Sequence, residues 1–151
     1  MNLTELISEN QIADQLTGEN KFQLIEELLD LLHKSGKILD RDAALKDVLA
    51  REGYLSTGLE NGLAIPHAKT DGVNQLVIAF GVKKEGVEFE SLDNKPAQLI
   101  FLVLSPRDTS GPHIRALASI TKNLKKLERR KALLNAGSIE DIKKIFDKFE
   151  S

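Results

Sequence analysis

Residues 97–104, A-Q-L-I-F-L-V-L, form an almost unbroken apolar run. A strand with one face in water alternates apolar and polar side chains, because successive side chains point to opposite faces. A run that is apolar at nearly every position needs cover on both faces, as an inner strand has between two layers of helices. An α/β sandwich follows, a sheet with helices packed on each side. Residues 75–82, Q-L-V-I-A-F-G-V, read as a second strand, 62–66 as a short one and 87–90 as a shorter one still.

The spacing predicts a helix over 20–34, with Phe22, Ile25, Leu28, Leu29 and Leu32 on its inner face, Asn20 and Gln23 at its start and Gly36 at its end. A second covers 40–52, with Ala44, Leu45, Val48 and Leu49 inward and Gly53 as its stop. A third covers 112–126, with Ile114, Leu117, Ile120, Leu124 and Leu127 marking its inner side. A short helix over 128–136 closes at Gly137, and a last one over 138–149 opens on the pair Ser138 and Asp141 and buries Ile139, Ile142, Ile145 and Phe149. Residues 1–19 carry no decisive pattern.

No internal repeat, low-complexity tract or Pro/Ser linker divides the 151 residues, so one domain over 1–151 is expected. At 41% hydrophobic and 29% charged, the composition is that of a soluble globular protein. No apolar run approaches the roughly 20 residues of a membrane span. The start, M-N-L-T-E-L-I-S-E-N, lacks the features of a signal peptide, so a cytoplasmic location without membrane insertion is expected. A net charge of −2 supplies no general attraction to nucleic acid or anionic membrane. With no cysteine, the chain has no disulfide, thiolate metal site or cysteine nucleophile. The histidines are His33, His67 and His113. A three-histidine metal site would need all of them, yet His33 and Lys34 fall in the last turn of the 20–34 helix, where cations suit the helix dipole.

The chemistry concentrates in residues 57–67, T-G-L-E-N-G-L-A-I-P-H. Pro66 cannot donate to a sheet ladder and pushes Ile65 toward extended backbone, so the strand is expected to end at Ile65–Pro66 with His67 projecting beyond the sheet. Functional groups of α/β folds gather at such strand ends. A neutral imidazole there is a nucleophile and proton acceptor near pH 7. From spacing alone, a plain surface-loop histidine is an equal alternative.

His113 follows Pro112 in S-G-P-H-I-R, which opens a helix. It lies in the first turn, among amides that attract anions, where the local potential keeps an imidazole neutral. The alternative is a partly exposed helix-start histidine. Arg51 and Arg107 are further candidates, because a guanidinium grips phosphate through two parallel hydrogen bonds. Each taken singly also reads as a solvated arginine. The basic stretch Lys122, Lys125, Lys126, Arg129, Arg130 and Lys131 reads as a solvated helix face or as a dock for an acidic partner.

Residues 51–68, R-E-G-Y-L-S-T-G-L-E-N-G-L-A-I-P-H-A, resemble the EIIA domain of the phosphoenolpyruvate-dependent sugar phosphotransferase system, fructose/mannitol class, which includes nitrogen-regulatory EIIA proteins. The resemblance rests on Arg51-Glu52, Thr57-Gly58, Asn61-Gly62 and the A-I-P-H at Ala64 to His67, and extends along the chain to a helix that opens with His113. It implies a mixed β-sheet of about five strands flanked by helices on both faces, the mannitol-type EIIA fold. It implies that His67 accepts a phosphoryl group on its Nε2, as tele-phosphohistidine, from the phosphohistidine of HPr. His67 then passes the group to an EIIB component. His113 resembles the histidine that supports the phosphoryl group, Arg51 the arginine near the site, and Thr57 and Asn61 belong to the adjacent loop. No cofactor or metal is implied. The EIIB acceptor of this class is typically a cysteine, which would have to stand on a separate chain.

Phosphoryl transfer between histidines asks a protein for positioning and charge stabilisation, which a strand-end histidine, a helix N-terminus and an arginine supply. Position 60 departs from the pattern: Glu60 stands where the family commonly has glycine, and a carboxylate turned inward would repel the phosphoryl group. The expected function is a phosphocarrier for sugar uptake. The alternatives are a regulatory protein of the same fold that acts by binding partners, and a fold relative without transfer activity.

Overall fold

The computed structural model describes residues 2–150; Met1 and Ser151, which the one-domain reading included, lie outside the described residues. In chain order the elements are α1 (Leu3–Leu6), a 3-10 turn (Glu9–Gln11), β1 (Ile12–Ala13), α2 (Lys21–Lys34), α3 (Arg41–Tyr54), β2 (Leu63–Ala64), β3 (His67–Lys69), β4 (Val77–Val87), β5 (Ala97–Ser105), α4 (Gly111–Leu124), α5 (Leu127–Asn135) and α6 (Ile139–Asp147). The strands form one mixed sheet. β4 and β5 pair antiparallel, β1 lies parallel along the outer side of β4, and β2 and β3 lie in succession, parallel, along the other side of β5.

The run at 97–104 is the inner strand its composition predicts. Ile100, Leu102 and Leu104 face a core built with Leu24, Leu28, Leu32 and Val48 of α2 and α3. Leu99, Phe101 and Val103 face the opposite core, with Phe80 of β4, Ile120 of α4 and Phe146 of α6. Burying each such side chain is worth about 1.5–3 kcal/mol, so the strand is held from both faces. Asn20, Asp40 and Ser138 cap α2, α3 and α6 by accepting from the amides of Gln23, Ala43 and Asp141. Among the described residues, no helix is long and apolar enough to cross a membrane.

Several elements differ from the sequence expectation. The chain does not leave the sheet at Pro66. β2 stops at Ala64, and β3 restarts pairing at His67, which lies opposite Val103 of β5. Pro66 has no N–H, but its carbonyl accepts from Val103 N at 3.0 Å, and an edge position tolerates the missing donor. The expected strand at 87–90 is instead the end of β4 at Val87, followed by Glu90 at φ 54. α3 runs through Gly53 to Tyr54. β1 is two residues long, too short for a periodic signal. Phe22 is 50% exposed and Ile114 63% exposed, whereas Leu24 and Ala116 are buried. Both predicted residues sit at the margin of an apolar stripe, where spacing does not tell core from solvent. Phe146 is the fully buried aromatic of α6, and Ile139 and Ile145 are only partly buried.

Candidate active site

The approach to His67 is a narrow hairpin. Leu59 N donates to Leu63 O (2.8 Å), Leu63 N to Glu60 O (3.2 Å) and Ile65 N to Thr57 O (3.1 Å). Asn61 (φ 62) and Gly62 (φ 78) are the two central residues of its turn, the left-handed pair that Asn-Gly favours. The other end is pinned by Glu52, a carboxylate only 2% exposed. It accepts from Thr57 N (3.0 Å), from the Thr57 hydroxyl, and from Lys21 Nζ at 3.3 Å. Lys21 also reaches Glu90 at 2.6 Å. Burial works against the charge on Lys21, but its bonds to Glu90 and Glu52 outweigh that and raise its pKa. Thr57 is therefore spent on holding the loop.

His67 is half-buried at the start of β3. Its Nδ1 lies 2.7 Å from Ile65 O. A carbonyl only accepts, so Nδ1 carries the proton and Nε2 is left with a free lone pair. Burial lowers the His67 pKa; the hydrogen bond to Ile65 O opposes this, and the Arg51 charge adds to the lowering. The ring is thereby kept neutral and nucleophilic.

His113 lies in the first turn of α4 and meets His67 edge-on, with ring centroids 5.5 Å apart. It is 7% exposed, and its Nδ1 is hydrogen-bonded to the Ser105 hydroxyl at the end of β5. Burial first, then the His67 and Lys69 charges, lower its pKa to about 4. Lys69 is two residues beyond His67 on β3, hence on the same face, and its Nζ donates to Ser110 Oγ at 2.9 Å just ahead of α4.

Beside His67 opens a cleft of about 380 Å³, walled by Leu55, Ile65, Leu92 and Leu117 and carrying Arg51 at its rim. Arg51 donates through Nη1 to Leu55 O at 2.6 Å, leaving its other N–H groups for a ligand. Other candidates lie elsewhere. Asn61 and the exposed Glu60 line a neighbouring groove, so the Glu60 carboxylate does not face into the His67 cleft. Arg107 pairs with Asp47 (3.1 Å) and Asp71 (3.4 Å). In the basic stretch, Lys122, Lys126 and Arg129 converge on Glu150, and Arg130 closes the end of α4 through Leu124 O and Lys125 O. His33 is exposed in the last turn of α2. No three His, Asp or Glu side chains gather as a metal site among the described residues.

Sequence reasoning missed Lys69 and Ser105, and took Glu52 only as part of a motif. Strand alternation from His67 would have found Lys69; Ser105 carries no local signal. Taken together, a neutral imidazole with an open Nε2, a second imidazole, an arginine and helix-start amides form a site for receiving an anionic group.

Residues 5–149 match the family described as phosphoenolpyruvate-dependent sugar phosphotransferase system, EIIA 2, and the chain belongs to that family. It is 40% identical over 142 residues to the fructose-specific EIIABC component of the phosphotransferase system of Bacillus subtilis, spanning 94% of this chain and 22% of that protein. It is also 40% identical over 121 residues to a fructose-specific EIIA component from Haloferax volcanii, spanning 80% of this chain and 79% of that one. In structure it is similar to the nitrogen regulatory protein IIA-Ntr from Neisseria meningitidis, with a TM-score of 0.83, 30% identity and coverage of 95% and 98% of the two chains. This family transfers phosphoryl groups.

Proposed function

We propose that this chain is a cytoplasmic phosphocarrier: His67 takes a phosphoryl group from the phosphohistidine of HPr and passes it to an EIIB component, for sugar uptake of the fructose or mannitol type. The observation that carries this reading is the 2.7 Å contact of His67 Nδ1 with Ile65 O, which leaves Nε2 unprotonated and directed away from that anchor. Nε2 attacks phosphorus in line; the Nε2–P bond forms as the donor's N–P bond breaks, and the electron pair returns to the donor imidazole. No base is needed, because Nε2 has no proton to lose, and Nδ1 keeps its own on Ile65 O. Arg51 and His113 stabilise the phosphoryl oxygens as hydrogen-bond donors. Thr57, in the wall of the His67 cleft, and Asn61, in the neighbouring groove, act by shaping the loop.

A second reading has a specific observation behind it. The similarity to IIA-Ntr over 98% of that chain suits a regulator whose phosphorylation on the same histidine controls protein binding. Both readings meet one test: incubation with phosphoenolpyruvate, enzyme I and HPr, followed by detection of an acid-labile adduct. The expected result is label on the wild-type chain and none on His67→Ala; equal label on both would sink the proposal. His113→Ala is expected to accept the group and pass it on poorly. Transfer of the label to an EIIB component separates transport from regulation.

A further inference from the structure

We propose that Ser105 is a positioning residue that sets the tautomer of His113: its hydroxyl donates to Nδ1 and so confines the ring proton to Nε2. The consequence for transfer rests on the phosphocarrier reading; the tautomer itself does not. Ser105 closes β5, opposite Lys69 of β3 in the parallel ladder. Its side chain therefore points to the same face as those of Lys69, His67 and Val103, the face covered by α4. There it meets His113.

Ser105 is fully buried, and its hydroxyl has His113 Nδ1 as its one hydrogen-bond partner among the described residues. Its carbonyl is already taken by Thr70 N at 2.9 Å. If Nδ1 carried the ring proton, the serine oxygen would accept it and the serine's own proton would point into a dry interior without an acceptor. If the serine donates, both groups are satisfied. The cost of an unsatisfied buried donor favours the second arrangement by about tenfold or more.

The choice matters because burial, with the Lys69 charge nearby, keeps His113 neutral at pH 7, with one N–H to place. Nε2 makes no hydrogen bond among the described residues and is the ring nitrogen open to a ligand. With the proton there, His113 offers a donor to a phosphoryl group on the neighbouring imidazole, 5.5 Å away between ring centroids. With the proton on Nδ1 it would offer a lone pair, which repels phosphoryl oxygens. Thr57, Gly58 and the A-I-P-H motif supply no such control; a serine at the end of a different strand does.

The test is a two-bond 1H–15N correlation spectrum of the protein labelled in histidine, near pH 7. The expected wild-type pattern is protonated Nε2 and bare Nδ1 on His113; the reverse pattern overturns the proposal without need of a variant. Ser105→Ala is expected to shift the two nitrogens toward averaged values, and Ser105→Thr to restore them. A Ser105→Ala spectrum identical to wild type overturns the proposal. With 32P on His67, return of the label to excess HPr is expected to slow about tenfold in Ser105→Ala. Unchanged return overturns the role in transfer. Should the tautomer respond as stated while His67 takes no label from HPr, the assignment to Ser105 stands and the phosphocarrier reading fails.

Discussion

The neutral state of His113 has a measurable effect on stability. In the unfolded chain this imidazole titrates near 6.5, and in the folded protein near 4. Between those values the unfolded state binds the proton and the folded state does not, so stability rises with pH through this window and is fully present above it. Acidification from about pH 7.5 to about pH 5 crosses most of the unfolded titration and little of the folded one. The His113 contribution lost over that step is about 2 kcal/mol, since each pH unit of difference is worth about 1.4 kcal/mol. Carboxylates and His67 titrate over part of the same range, so the assay is a comparison. Urea unfolding of wild type and His113→Asn is followed by circular dichroism at the two pH values. Wild type is expected to lose about 2 kcal/mol more than the variant on acidification. Parallel losses would refute the reasoning, because they would mean that His113 protonates as readily in the folded protein as in the unfolded one.

Two further perturbations test the supports of the site. Glu52→Ala leaves Lys21 buried beside a single exposed carboxylate and removes the acceptor of both the Thr57 amide and the Thr57 hydroxyl, so a loss of about 3 kcal/mol in urea unfolding is expected. The pair Lys21→Met with Glu52→Gln should lose less than the sum of the single changes; strict additivity would show that the two charges are not coupled. Phe146→Ala removes a ring that meets both Phe80 and Phe149 edge-to-face, with centroids 5.2 Å apart, and should cost about 3–5 kcal/mol. A loss below about 1 kcal/mol would show that this core closes over the gap.

Local physics was sufficient for much of the fold. The caps at Asn20, Asp40 and Ser138 and the Asn61-Gly62 turn involve partners within three residues, so each is legible where it stands. The boundaries that were missed depend on distant partners. Pro66 looks like a strand end until Val103 is found to donate to its carbonyl, after which the chain continues as β3. Phe22, expected on an inner face, is half exposed, and Phe146, which the expected stripe of the last helix did not include, is fully buried, because the core has a shape that a helical stripe does not encode.

Within the site, the sequence by itself determined that a histidine stands behind a proline and an Asn-Gly pair, which made His67 a candidate level with a plain surface-loop histidine, because turn and strand signals are short-range. It also determined the family, through the motif from Arg51 to His67. Only the tertiary structure decided which nitrogen of His67 is free and that His113 is its neighbour. The same holds for the pairing of Lys69 and Ser105 with that neighbour and the outward placement of Glu60. The physical reason is that hydrogen bonding and desolvation act over a few ångströms of space. The pairing of β3 with β5 joins residues about 36 positions apart in the chain, a proximity that no local spacing expresses.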